Sequence, residues 1–397
     1  MTRLRRTTRR GLRSRAGSSF GGVLVGFILL PLAVWLLFWN EGRSVKRYQA
    51  LQEGAGAVVS VPTDRMDAAG EGQLVHLTGE LVVEGVLVDA EFGVSAQGLR
   101  LERRVETYQW VEDVTRETRD RLGGGEETVE TFSYRTSWRS GIVDSSRFAV
   151  PEGHQNPSSA RFAPASFAAS DVRLGVFRLP DFITSGLGGA QDLPVGNLDE
   201  ASEVVREAGR VANGMVYFGS PEAPAVGDTR VAFRVVPAGP VSVIAARQGD
   251  TLATYPTQSG VDLHLVSRGI VPAEEMFAGA HAANRALTWG IRVGGFFLLG
   301  IGFSMILAPI GVLAGVLPFL GRIVRAGTTA ISFLLGGIVW AVVVAVAWIL
   351  YRPLLGIGIL VIAVALLALV IRRIISARAA PDDPPETAPT NPGPSAS

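Results

Sequence analysis

Long runs of apolar sequence limit what this chain can become. They cover residues 21–39, 291–311, 328–350 and 354–371, and the only charge inside them is Arg292 at the start of the second. A helix needs about 20 such residues to cross roughly 30 Å of hydrocarbon. The first run offers 19. A cleavable signal peptide is its rival reading, because arginines precede it. The run is longer than the apolar core of such peptides, and no Ala-x-Ala site follows it. Phe38-Trp39-Asn40-Glu41-Gly42-Arg43 reads instead as an aromatic interface belt passing into a charged helical extension. A retained anchor is therefore expected. Residues 354–371 follow the third run after only Tyr351-Arg352-Pro353, which predicts an antiparallel helical hairpin. Pro309 marks the far end of the second run. The stretch 312–327 holds Pro318, Gly321, Arg322 and Arg325 and is too short to cross and return. It fits an interfacial or re-entrant segment.

Charge orients these spans. Residues 1–20 carry seven Arg and no acid, whereas 40–290 holds 23 basic against 33 acidic residues, a net −10. Cationic residues sort to the cytoplasmic side. Four spans then place the N-terminal arginines, Arg322, Arg325, Arg372 and Arg373 on one face, and 40–290 is expected to be exported. Residues 372–397, with six Pro and three acids, read as a disordered cytoplasmic tail. The acidic block argues against nucleic acid as a partner. Lys46 is the only lysine and cysteine is absent. The first points to a GC-rich bacterial genome and a plasma-membrane location. The second removes disulfides and thiolate metal sites.

The exported part reads as β-rich. Alternating runs occur at 73–77, 99–105, 107–111, 130–134, 230–235, 241–245 and 261–266, with Gly123-Gly124-Gly125 as a hairpin tip. Two lobes are expected, 58–150 and 203–270, joined by a proline-rich stretch. Helical character at 41–57 and 273–290 tethers both ends. The expected fold class is thus a four-span α-helical membrane protein with a large β-rich α+β domain between spans one and two.

Chemistry is sparse. His76 and His264 sit in strand patterns and read as core or face residues. His154 lies in the polar loop Gly153-His154-Gln155-Asn156-Pro157, where a turn role outweighs a ligand role. No P-loop, nucleophile elbow or dinucleotide fingerprint is present. No acid, lysine or histidine lies in the spans, which disfavours a coupled transporter. No catalytic residue, metal site or cofactor is assigned, and no enzyme is expected. The candidate binding residues are His154, Asn156, Tyr108, Trp110 and Trp138. Trp39, Arg43, Arg47, Trp289, Arg292 and Arg352 are the candidate membrane-interface residues. Arg43 and Arg47 share a helical face and are expected to meet anionic headgroups or acids of the domain. Gly42→Ala is expected to be nearly neutral.

Residues 21–371 resemble the transmembrane protein 43 family, known as LUMA. The resemblance rests on Asn40-Glu41-Gly42-Arg43, Tyr108-Gln109-Trp110-Val111-Glu112, Tyr134 with Trp138-Arg139-Ser140, Gly153-His154-Gln155-Asn156-Pro157, Arg247-Gln248-Gly249-Asp250, Glu274-Glu275-Met276-Phe277, Thr288-Trp289-Gly290-Ile291-Arg292 and Tyr351-Arg352-Pro353-Leu354. It implies four spans, a lumenal or exported central domain, self-association into homo-oligomers and a scaffolding role among membrane proteins. Animal members sit in the inner nuclear membrane and endoplasmic reticulum, with emerin and lamins as partners. The other reading, from the residues alone, is a membrane-anchored enzyme or ligand sensor using the His154 loop.

Overall fold

The computed structural model describes residues 3–10, 12–65, 70–120, 126–314 and 318–351. Among these, three helices are long and apolar enough to cross a membrane: α1 (Leu12–Ala57), α2 (Ala273–Ala314) and α3 (Pro318–Tyr351). The expected fourth span 354–371, the tail 372–397, Arg352 and the glycines at 123–125 lie outside the described residues.

α1 is one helix of 46 residues, so the expected extension through 41–57 is present. The helix expected over 273–290 is present too and runs without a break into the second span. One expectation about the later helices is corrected. Pro309 does not end its helix, which continues to Ala314; a proline removes one backbone bond, and packed membrane helices tolerate the loss. Of the stretch expected to be interfacial or re-entrant, residues 312–314 belong to α2 and 318–327 to α3, and 315–317 lie outside the described residues.

α2 runs antiparallel to both α1 and α3, with Ala33, Leu37 and Leu299 at the bundle centre. Backbones approach at glycines. A Cβ on Gly26 would fall 2.7 Å from the Gly302 carbonyl, and one on Gly336 would fall 2.8 Å from the Gly300 nitrogen. Helices in lipid associate through such close packing, because lipid tails remove the hydrophobic drive between them.

The domain holds two sheets. In the first, β1 (Arg3–Arg10), β2 (Glu126–Arg139) and β3 (Arg100–Asp120) lie side by side, and β4 (Thr229–Val236) pairs with β3 from Thr229↔Thr107 to Val236↔Arg100. The β3–β2 hairpin extends well past its last contact with β4. Phe92, Leu101, Val105, Val216, Val231 and Phe233 form the core beneath this sheet. In the second sheet β5 (Leu74–Val83) pairs with β6 (Pro240–Gln248). The short strands Val172–Leu174, Phe177–Arg178 and Thr251–Ala253 link the two again, closing a ring. Its interior is filled by Val75, Leu77, Leu174, Phe177, Val243 and Leu252.

The seven strand patterns read from the sequence all overlap strands, although 99–105 and 107–111 belong to one strand and 261–266 is broken at His264 between Asp262–Leu263 and Leu265–Arg268. The division into lobes at 58–150 and 203–270 does not hold, because each sheet takes a long strand from both segments. Period-two alternation identifies a strand and says nothing of its partner. Beyond the bundle, α1 and α2 continue together as a two-helix stem. The domain seats on its end through Leu51, Leu74, Ile244, Leu263, Met276 and Phe277. A Cβ on Gly54 would lie 3.1 Å from the Phe277 ring and would overlap Leu263, so the stem meets the domain with no slack.

Candidate functional site

Two polar constellations stand out, one on the hairpin and one where the stem meets the bundle. On the hairpin, the register Tyr108↔Trp138, Trp110↔Thr136 and Glu112↔Tyr134 places all six side chains on one face. The His154 loop covers that face. The imidazole stacks on Tyr134 at 3.9 Å between centroids and meets Trp110 edge-on at 4.8 Å. Its Nδ1 lies 3.0 Å from the Val150 carbonyl, which can only accept, so Nδ1 carries the proton. Tyr134 donates to Glu112 Oε2 at 2.6 Å and accepts from the Val150 amide. Burial, and then that bond to Glu112, raises the Tyr134 phenol above its ordinary range. It is a fixed donor and not a general base.

Asn156 acts as a short strand. Its Oδ1 accepts from the Trp110 amide at 2.7 Å, and its Nδ2 donates to the Trp110 and Val143 carbonyls at 3.0 and 3.1 Å. Its own amide donates to Ser145 Oγ. Gln109, fully buried, holds the other side of the same loop through Gly141 and Val143. Tyr108 and Trp138 sit one step along at 5.2 Å, with the Arg230 guanidinium 4.7 Å above Trp138. The five candidate binding residues are therefore gathered on one face. The polar atoms of Asn156 and the Nδ1 of His154 are spent on closing the loop.

The second constellation takes in Arg43 and Arg292, which the sequence placed among the candidate membrane-interface residues. Arg292 is buried. Its Nε donates to Glu41 Oε1 at 2.6 Å and its Nη2 to Oε2 at 2.8 Å, a two-pronged pair. Trp348 Nε1 donates to the same carboxylate at 3.2 Å, and Trp340 Nε1 donates to the Arg292 carbonyl at 2.9 Å. The guanidinium also lies 4.9 Å over Trp289 and 5.4 Å from Trp348. One turn towards the domain, Asn40 donates to the Thr288 carbonyl and Asn284 to the Ser44 carbonyl. Arg43 donates to Asn284 Oδ1, Asn40 Oδ1 and Thr288 Oγ1 at 3.2–3.3 Å. Its acceptors are thus neutral oxygens, two on the facing helix and one, from Asn40, on its own. Arg47 is half-buried, within electrostatic reach of His264. Trp39 is 47% exposed and stacks on Trp35, and Trp289 is 56% exposed.

The sequence reading missed Glu41, Asn40, Asn284, Thr288, Trp340 and Trp348 as a unit. A signal was present. Asn284, Thr288 and Arg292 recur every four residues, and Asn40, Arg43 and Ser44 fall at three and four, so each set makes one polar stripe on a helix. Gly42 was expected to accept alanine freely; a Cβ there would come within 2.8 Å of the Tyr351 ring, which would have to shift to admit it.

Three apolar helices joined by buried polar contacts, carrying a β-rich domain on a helical stem, define a multi-pass membrane protein with a large extramembrane domain. The family model for transmembrane protein 43 matches residues 107–353, and the chain belongs to that family. It is 33% identical to rat transmembrane protein 43 over 87% of this chain and 88% of the relative. It is 32% identical to the human protein over the same shares. The Drosophila melanogaster homologue is 30% identical over 84% of this chain and 89% of the relative. These relatives are animal proteins and lend nothing to the bacterial plasma-membrane location expected from composition. No solved structure matches.

Proposed function

We propose that this protein is a membrane scaffold, a homo-oligomer that holds its β-rich domain at a set height and orientation for other membrane proteins to bind. Residues 40–290 lie on one side of the bilayer, with the N-terminal arginines and the C-terminal tail on the other. The observation that carries this reading is the Glu41–Arg292 junction. It ties all three described helices together where the stem leaves the bundle, and a fixed platform needs that rigidity. The closed His154 loop supports the same reading over a ligand sensor, since the side-chain polar atoms of Asn156 and the Nδ1 of His154 are engaged internally.

The test is cross-linking in intact membranes followed by identification of captured proteins, with Glu41→Ala beside the wild type. Discrete membrane-protein partners and self-adducts are expected, and both should diminish in the variant. Capture of neither, together with a small ligand whose binding His154→Ala abolishes in a folded protein, would reverse the assignment. Topology is read by single cysteines in a chain that has none. An impermeant thiol reagent should label Glu152→Cys and spare Ser14→Cys.

A further inference from the structure

The outer edge of the hairpin carries an unusual occupant. Along β2, residues Glu126–Ser133 pair in register with Arg3–Arg10, so that Arg6 lies opposite Glu130, Arg9 opposite Glu127 and Arg10 opposite Glu126. Arg9 Nε reaches Glu127 Oε1 at 3.3 Å. Leu4 lies opposite Phe132, which is buried, and Thr7 opposite Val129. Charge and backbone pairing thus both match a basic extended segment.

That pairing conflicts with a membrane-inserted α1. With residues 21–39 in hydrocarbon, Arg3–Arg10 and the domain fall on opposite faces of the bilayer, whereas β1–β2 pairing needs them on the same face. The hairpin cannot reach across, because Asp113, Arg116, Glu117 and Arg119 are exposed on it, and their ion pairs with Arg135, Glu130 and each other would face lipid, where charges are admitted only inside a bundle or a water-filled cavity. In the inserted chain the β2 edge is therefore vacated by β1. An open strand edge is a template for another strand, and strand addition is a common mode of peptide recognition.

We infer that the outer edge of β2, from Glu126 to Ser133, is a docking surface for an arginine-rich extended segment of a partner protein on the domain's side of the membrane, added as a strand in the place β1 takes here. This rests on the scaffold reading and names the chemistry of one partner. Backbone bonds supply the affinity, and the carboxylates at 126, 127 and 130 select arginines at matching positions.

The probe is a fluorescent peptide with the sequence of residues 2–11, added to the full chain in lipid nanodiscs, where the bilayer keeps the protein's own N-terminus on the far side. Saturable binding is expected. It should weaken about tenfold or more with 0.5 M salt, and likewise in the triple variant Glu126→Arg, Glu127→Arg, Glu130→Arg. Neighbouring residues of an antiparallel strand alternate in their bonding, so a peptide with proline at both positions 7 and 8 loses at least one donor and should also bind weakly. Absence of binding would overturn the inference, and so would equal binding of the proline peptide, which signals charge attraction alone. A disulfide forming within one chain between Thr7→Cys and Val129→Cys in the disc would overturn it as well, since the edge would then hold its own strand. Partners captured equally by the wild type and the triple variant would sink this surface and leave the scaffold reading standing.

Discussion

The Glu41 carboxylate and the Arg292 guanidinium face each other across two antiparallel helices, bonded at 2.6 and 2.8 Å and both buried. They are 251 residues apart in sequence, with the whole β-rich domain between them. The pair closes the chain on itself at the foot of the stem.

Removing one partner leaves the other buried and uncompensated, which costs about 3–5 kcal/mol in comparable pairs. Glu41→Gln and Arg292→Met are each expected to lower the unfolding midpoint of the detergent-solubilised protein substantially. The double variant Glu41→Leu/Arg292→Met should recover most of the loss, since a buried pair exchanged for apolar groups is often neutral or stabilising. Single variants with wild-type midpoints would show that the pair carries no structural weight.

Gly42 tests how α3 locks onto α1. Alanine there gains about 1 kcal/mol of helix propensity, but its methyl meets the Tyr351 ring, which also packs on Phe38 at 5.4 Å. Overpacking costs about 1–3 kcal/mol, so Gly42→Ala should be destabilising overall. In a Tyr351→Ala background the same change should become neutral or favourable. A double-mutant cycle on the thermal midpoint reads the coupling, and strict additivity would remove Tyr351 from the explanation.

His76 makes the domain sensitive to acid. Its Nε2 lies 3.0 Å from the Val271 carbonyl, which can only accept, and its Nδ1 lies 3.1 Å from Ser60 Oγ. Burial lowers its pKa, opposed by the Val271 bond. His264 is lowered by burial and then by Arg47. A histidine whose folded pKa lies below its unfolded value of about 6.5 binds protons more tightly when unfolded. The associated stability is complete above that value, erodes as pH falls below it, and levels off beneath the folded pKa. Denaturant midpoints should accordingly drop between pH 7 and pH 5, with a shallower slope in His76→Gln. An unchanged slope in that variant would clear His76 of the effect.

Asn156 is expected to hold the loop on the hairpin. Asn156→Ala strips partners from the Trp110 amide and carbonyl and from the Val143 carbonyl, and each buried group left unpaired costs about 1–3 kcal/mol. Hydrogen exchange at the Trp110 amide should accelerate by at least about tenfold, the equivalent of roughly 1.4 kcal/mol. His154→Ala should loosen the loop less, because it removes one bond and a stacking contact. Exchange that stays at the wild-type rate in Asn156→Ala would refute the clasp.

Much of this architecture is written locally. Spans such as 328–350 declare themselves because hydrocarbon excludes charge over a contiguous length. Strands such as Arg230 to Val235 declare themselves because one face is more deeply buried than the other. The tight turn at Asn213-Gly214, with φ of 50° and 73° between the paired residues Ala212 and Met215, was equally available, as Asn-Gly is a strong hairpin signal. Tyr108 and Trp110 could be placed on one face of the hairpin for the same reason, since alternation puts them on one side.

Long-range pairing was decided only by the tertiary structure. The sequence by itself determined the apolar helices, the strands and the family. It did not determine that strands of both halves interleave in each sheet, that Arg292 pairs with Glu41, or that Tyr351 covers Gly42. Burial and periodicity act on each residue against its solvent, so they leave a trace within a few positions. An ion pair or a methyl-sized gap depends on which surface arrives opposite, and no local pattern carries that until the chain has folded.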